Sequence, residues 1–106
     1  MKYHYKEVMR LAVNSLKMGV KDAIKVSRNG VIYRTVTLID NARPKGLGWE
    51  SLTDKKSNCI PDYYINRRAR MIFTYCEGDI IVTACFTETA FEREVNDTKK
   101  WIKRNE

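Results

Sequence analysis

Ten basic and aromatic residues crowd one stretch of the chain: Arg43, Lys45, Trp49, Lys55, Lys56, Tyr63, Tyr64, Arg67, Arg68 and Arg70. Cationic side chains neutralise phosphates, and aromatic faces stack on exposed bases. Together they are a common means of holding single-stranded RNA. The same residues also suit solubility charge mixed with a few core aromatics, and composition leaves both readings open. The usual enzyme constellations are missing. There is no phosphate-binding glycine loop followed by Lys-Ser or Lys-Thr, and no Gly-x-Ser-x-Gly nucleophile turn. His4 is the only histidine, which excludes a two-histidine catalytic pair.

The cysteines narrow the chemistry further. Cys59, Cys76 and Cys85 are odd in number and widely spaced. A disulfide framework wants an even count, and a zinc site wants close Cys or His pairs. Buried reduced thiols are the expectation, with no metal and no cofactor. The 106 residues carry 20 Lys and Arg against 13 Asp and Glu, a formal charge of +7. That excess favours nucleic acid or an acidic protein as partner. It is also uneven. Residues 1–70 hold fifteen cations against six acids, whereas residues 71–106 hold five against seven.

Length sets one domain, residues 1–106, with room for a modest core. No apolar run approaches the ~18 residues of a membrane span. The opening Met1–Glu7 lacks the apolar stretch of a signal peptide, so a cytoplasmic location is expected.

The elements that must position these residues can be read from periodicity. Residues 3–18 predict a helix with Tyr5, Val8, Met9, Ala12 and Leu16 on one face, bordered by Lys2, Lys6, Arg10 and Lys17. Residues 20–28 fit a second helix or a strand equally well, ending at Asn29-Gly30. Val31–Ile39 is a β-branched strand with Ile32, Val36 and Leu38 on one side. The stretch 41–66, broken by Pro44, Gly46, Gly48 and Pro61, reads as a long basic-aromatic loop.

Residues 70–86 give the strongest pattern. A two-residue turn at Glu77-Gly78 sets Tyr75 opposite Ile80, Phe73 opposite Val82 and Met71 opposite Ala84. Arg67-Arg68-x-Arg70 would enter the first strand of this hairpin, and alternation would put Arg68 and Arg70 opposite Met71. From Glu88 to Arg104 the stripe Phe91, Val95, Thr98 and Ile102 marks a helix, with Thr89 and Glu92 spaced as a capping box. This helix is expected to pack on the Met71/Phe73/Tyr75 face. The fold class is α+β: an N-terminal helix or helix pair, a small, mainly antiparallel sheet with a long inserted loop, and a C-terminal helix.

Val20, Asp22, Ala23, Ile24 and Gly30, followed by the Val31–Thr35 strand, resemble the opening of small RelE-related and BrnT-like toxin domains. Arg67–Tyr75 and then Glu77–Phe86 are similar to the last two strands of those domains. The resemblance touches roughly half the chain, and it implies a helix over 20–29. It also implies metal-independent endoribonuclease activity, in which a ribose 2′-hydroxyl attacks the adjacent phosphate. Such a step needs cations for the charge developing on phosphorus and groups that move protons. Carried onto this chain, Arg68 and Arg70, with Arg67, would supply the cations, and His4 or Tyr75 the proton transfer. After Phe86, where the related toxins often place basic or aromatic catalytic residues, this chain has Thr87-Glu88-Thr89.

A second function class competes with the toxin. Small basic single-domain chains without enzyme signatures are common among phage and mobile-element accessory proteins, many of which are inhibitors. On that reading the same scaffold binds nucleic acid, or masks an acidic protein partner, without catalysis.

Overall fold

The computed structural model describes residues 2–17, 30–39, 42–46, 48–53 and 61–105. Six strands form one sheet: β1 (Lys2–Tyr3), β2 (Val31–Leu38), β3 (Trp49–Ser51), β4 (Asp62–Asn66), β5 (Met71–Cys76) and β6 (Asp79–Cys85). Among the described residues two helices flank it, α1 (Tyr5–Ser15) and α2 (Glu88–Asn105). The strand order is β1-β2-β6-β5-β4-β3, and only the β1–β2 pair is parallel. The fold is α+β. Among the described residues no helix is long and apolar enough to cross a membrane.

The β5–β6 hairpin has the predicted register, with Tyr75 opposite Ile80, Phe73 opposite Val82 and Met71 opposite Ala84. Its turn places both Glu77 and Gly78 at positive φ, 49° and 89°. Two left-handed residues give a turn whose twist matches the flanking strands. Alternation then builds two cores, one on each side of the sheet. On the first face Ile32, Val36, Leu38, Tyr64, Met71, Phe73, Tyr75, Ile80, Val82 and Ala84 pack with Val8 and Ala12 of α1. On the second, Val31, Ile65, Ile72 and Cys85 pack with Ala90, Phe91 and Val95 of α2.

The C-terminal helix therefore lies opposite the Met71/Phe73/Tyr75 face, not on it. The cue in the sequence is the unbroken apolar run Met71-Ile72-Phe73, and in the structure both it and Val82–Cys85 are buried throughout. Continuous burial marks a sheet covered on both sides. The cap of α2 also differs from expectation. The Ala90 N–H donates to Thr87 Oγ1 at 3.1 Å, so Thr87 and not Thr89 closes the first turn. Glu92 is thereby free of capping, and it accepts a hydrogen bond from Arg67 Nη1 at 2.9 Å.

The N-terminus begins as a strand instead of as helix. Tyr3 O accepts from the Ile39 N–H at 2.9 Å, and the helix starts only after His4. Glu7 Oε2 takes the His4 backbone N–H at 3.2 Å, satisfying one of the donors exposed at a helix start. The segment 41–66 is not one loop, because it contributes β3 and β4. Its apolar residues Tyr64 and Ile65 pair with Phe73 and Ile72 and extend both cores. Arg67–Arg70 form a turn between β4 and β5 and do not enter a strand. The helix-or-strand alternative at 20–28, with its end at Asn29, lies outside the described residues.

Candidate nucleic-acid interface

The turn 67–70 sends its arginines in three directions. Arg67 turns toward α2, with Nη1 2.9 Å from Glu92 Oε1 and Nε 3.9 Å from Glu50 Oε2. Arg70 has φ +54°, a left-handed conformation uncommon outside glycine. There its Nε donates to the Cys85 carbonyl at 3.1 Å, while its own carbonyl accepts the Cys85 N–H at 2.9 Å. Arg70 is thus half-buried and tied to the end of β6. Arg68 is exposed and lines an open groove with Gly48, Asn66 and Ala69. Strand alternation does not govern these positions because the backbone is turning. Arg68 lies with Asn66, whose register partner is Met71, on the side away from α2.

The aromatic set is mostly turned inward. Trp49 packs on Phe73 with ring centroids 4.7 Å apart, and Tyr64 meets Tyr75 edge-on at 5.7 Å. Arg43 stacks its guanidinium 4.1 Å above the Tyr75 ring, and its Nε lies 3.5 Å from Asp62 Oδ2. Arg43 and Trp49 are therefore docked over β4 and β5, and Pro44 between them is buried. Tyr63 faces the other side and touches Trp101 of α2 at 6.0 Å. Burial pushes the Tyr63 phenol above its ordinary pKa. Lys45 is exposed; Lys55 and Lys56 lie outside the described residues.

His4 is exposed and sits where β1 meets α1, beside Leu38 and the Glu77-Gly78 turn. Arg68 and Arg70 lie at the opposite end of β6. Seven strand residues separate the two ends, about 20 Å at ~3.3 Å per residue. The geometry does not bring His4 to these arginines. Tyr75 is buried at 3% exposure, as its alternation with Phe73 implied. Cys85 is fully buried, and burial pushes its thiol up to about 12, so it stays protonated and unreactive. Among the described residues no three His, Cys, Asp or Glu side chains gather as metal ligands would.

Exposed cations lie along both helices, but their excess over acids is larger around α1, where Lys2, Lys6, Arg10 and Lys17 meet Glu7 alone, than on α2, where five cations meet four acids. Lys6 and Arg10 stand one turn apart on the helix, Lys2 lies before it in β1, and Lys17 follows its C-cap, Leu16. The ion pairs among the described residues use Arg43 and Arg67 and none of these four. Glu7, the only acid of α1, is engaged at its own N-terminus.

Two groove residues, Gly48 and Asn66, were not picked out from the sequence. Asn66 alternates with Tyr64 on β4, so a strand reading of 62–66 would have flagged an amide at a core position. Comparison with family models, with curated proteins and with solved structures finds no match to this chain.

Proposed function

We propose that the protein is a non-catalytic nucleic-acid-binding domain that holds RNA by its phosphate backbone. The observation that carries this reading is the unbalanced charge of α1 and its flanks, where Lys2, Lys6, Arg10 and Lys17 stand in solvent without acidic partners among the described residues. Lys6 and Arg10, four residues apart on the helix, lie roughly 6 Å from each other, close enough to meet neighbouring phosphates of one strand. Inward packing of Trp49 and Tyr64 argues against the stacking mode and for a backbone mode. The separation of His4 from Arg68 and Arg70 argues against the ribonuclease alternative.

The test is the salt dependence of binding to single-stranded RNA. For single strands each phosphate contact contributes about 0.7 to the slope of log Kobs against log salt. Lys6→Ala/Arg10→Ala/Lys17→Ala should therefore lower the slope by about 2, with the RNA recovered intact. A wild-type slope in the folded triple variant removes this reading. Shortened RNA, lost on Arg68→Ala, would instead restore the toxin-like one.

A further inference from the structure

The groove beside Arg68 is built from unusual parts. Asn66 is a polar residue at only 8% exposure, set among apolar core positions of β4. The Ala69 N–H donates to its Oδ1 at 2.9 Å, and this bond fixes which way the carboxamide faces. The amide's other end, Nδ2, has no hydrogen-bond partner among the described residues. It faces the space above Gly48. A Cβ placed on Gly48 would lie 3.2 Å from Nδ2 and 3.3 Å from Oδ1. Gly48 also has φ +85°, a conformation that other residues adopt only with strain. Glycine thus keeps the approach to the amide open.

Among the described residues the charge lining this opening has one sign. Arg68 is the charged residue of the groove lining, and the other three are Gly48, Asn66 and Ala69. The neighbouring acids are committed elsewhere: Glu50 and Glu92 face Arg67, and Asp62 faces Arg43. The residue is held in place by its burial while Nδ2 itself stays open to the groove, a fixed N–H donor that an anion can accept from. A guanidinium beside it adds a fork of N–H donors matched to phosphate oxygens.

We infer that this groove is a phosphate site, in which Arg68 and Asn66 Nδ2 donate to two oxygens of one phosphate group and Gly48 admits it. The inference deepens the nucleic-acid reading by assigning a fixed phosphate contact outside α1. The ligand chemistry is a phosphate mono- or diester, supplied by a nucleic-acid backbone or by a small phosphorylated compound.

The experiment titrates inorganic phosphate, and separately a short single-stranded RNA, into ¹⁵N-labelled protein. It follows the Asn66 side-chain NH₂ and the Gly48 and Ala69 amides. Phosphate should shift these resonances in the wild type, and Arg68→Ala should weaken that binding at least tenfold. Asn66→Asp keeps the acceptor for Ala69 but replaces the donor by a negative charge, and should abolish the shifts. Arg68 is exposed, so its variant keeps the test valid if Asn66→Asp does not fold. The Lys6→Ala/Arg10→Ala/Lys17→Ala variant should retain phosphate binding here while its RNA affinity falls. Absence of phosphate shifts at these amides, or wild-type phosphate binding by Arg68→Ala, overturns the site whatever α1 does. Phosphate shifts without any RNA shift keep the site and assign it a small phosphorylated ligand, and the nucleic-acid reading then fails separately.

Discussion

The two faces of the sheet are closed in different ways. The α1 face is sealed twice, by the helix over β2 and β6 and by Arg43 and Trp49 docked over β4 and β5. It buries an aromatic run in which Tyr5 meets Phe73 edge-on at 6.3 Å and Phe73 meets Trp49. The α2 face carries one helix, and part of the sheet beside it stays in solvent. Tyr33 is 55% exposed and Ile81 37%. Polar bonds mark the borders of α2: Tyr33 Oη donates to Glu94 Oε1 at 2.6 Å, and Arg67 donates to Glu92. The exposed cations of α1 lie outside the well-sealed face, whereas Glu92 and Glu94 sit at the borders of the other helix. α2 nearly balances its charge, five cations against four acids, so the larger basic excess lies with α1 and its flanks, on the more fully covered face.

The largest test of that contrast is Phe73→Ala. Phe73 is fully buried between α1, Trp49 and the sheet, and its truncation should cost about 3–5 kcal/mol in chemical denaturation. A loss below about 1 kcal/mol would mean that the first face is loosely packed.

The next effect is smaller and tests whether the two cores are separate. Ile32 belongs to the first and Ile65 to the second. Ile32→Val and Ile65→Val should each cost about 0.5–1.5 kcal/mol. The double variant should equal their sum within about 0.5 kcal/mol. A larger coupling would show that the sheet transmits strain between the faces and that the comparison is misdrawn.

The smallest concerns the half-covered side. Burial, then the Glu94 carboxylate, holds the Tyr33 phenol well above its ordinary pKa. The folded state therefore favours the neutral phenol. Its stabilisation is complete below about pH 10, the ordinary value, and is lost as pH rises through the folded value. Tyr33→Phe should cost less than about 1 kcal/mol at neutral pH, because water screens an exposed pair. It should also flatten the loss of stability on the alkaline side. An unchanged alkaline limb in urea melts at stepped pH would assign that loss to other groups, such as Tyr5, whose phenol burial pushes up to about 12.

Local rules account for much of the architecture. Glu77-Gly78 between two apolar alternations determines the hairpin and its register, since only one pairing puts Met71, Phe73 and Tyr75 beside Ala84, Val82 and Ile80. Helical periodicity likewise determines which side of α1 and of α2 is buried, because the apolar residues of each fall on one stripe. Which helix covers which face was beyond periodicity. The stripe of α2 fits any apolar surface, and only the path of the chain after Cys85 carries it onto Ile72 and Ile65.

The basic-aromatic segment shows the same limit. Its composition is visible, but Trp49 and Tyr64 look alike in sequence whether they stack on bases or on Phe73 and Tyr75. Short strands with proline and glycine nearby leave too little periodicity to decide. The three turn arginines could not be separated either, because their directions follow from the positive φ of Arg70 and from partners far along the chain, Glu92 for Arg67 and Cys85 for Arg70. By itself the sequence determined charge, hairpin register and helix faces, all of which depend on neighbours a few residues away. Tertiary structure alone decided which cations stay in solvent and which amide faces a groove, because those outcomes depend on contacts between residues distant in the chain.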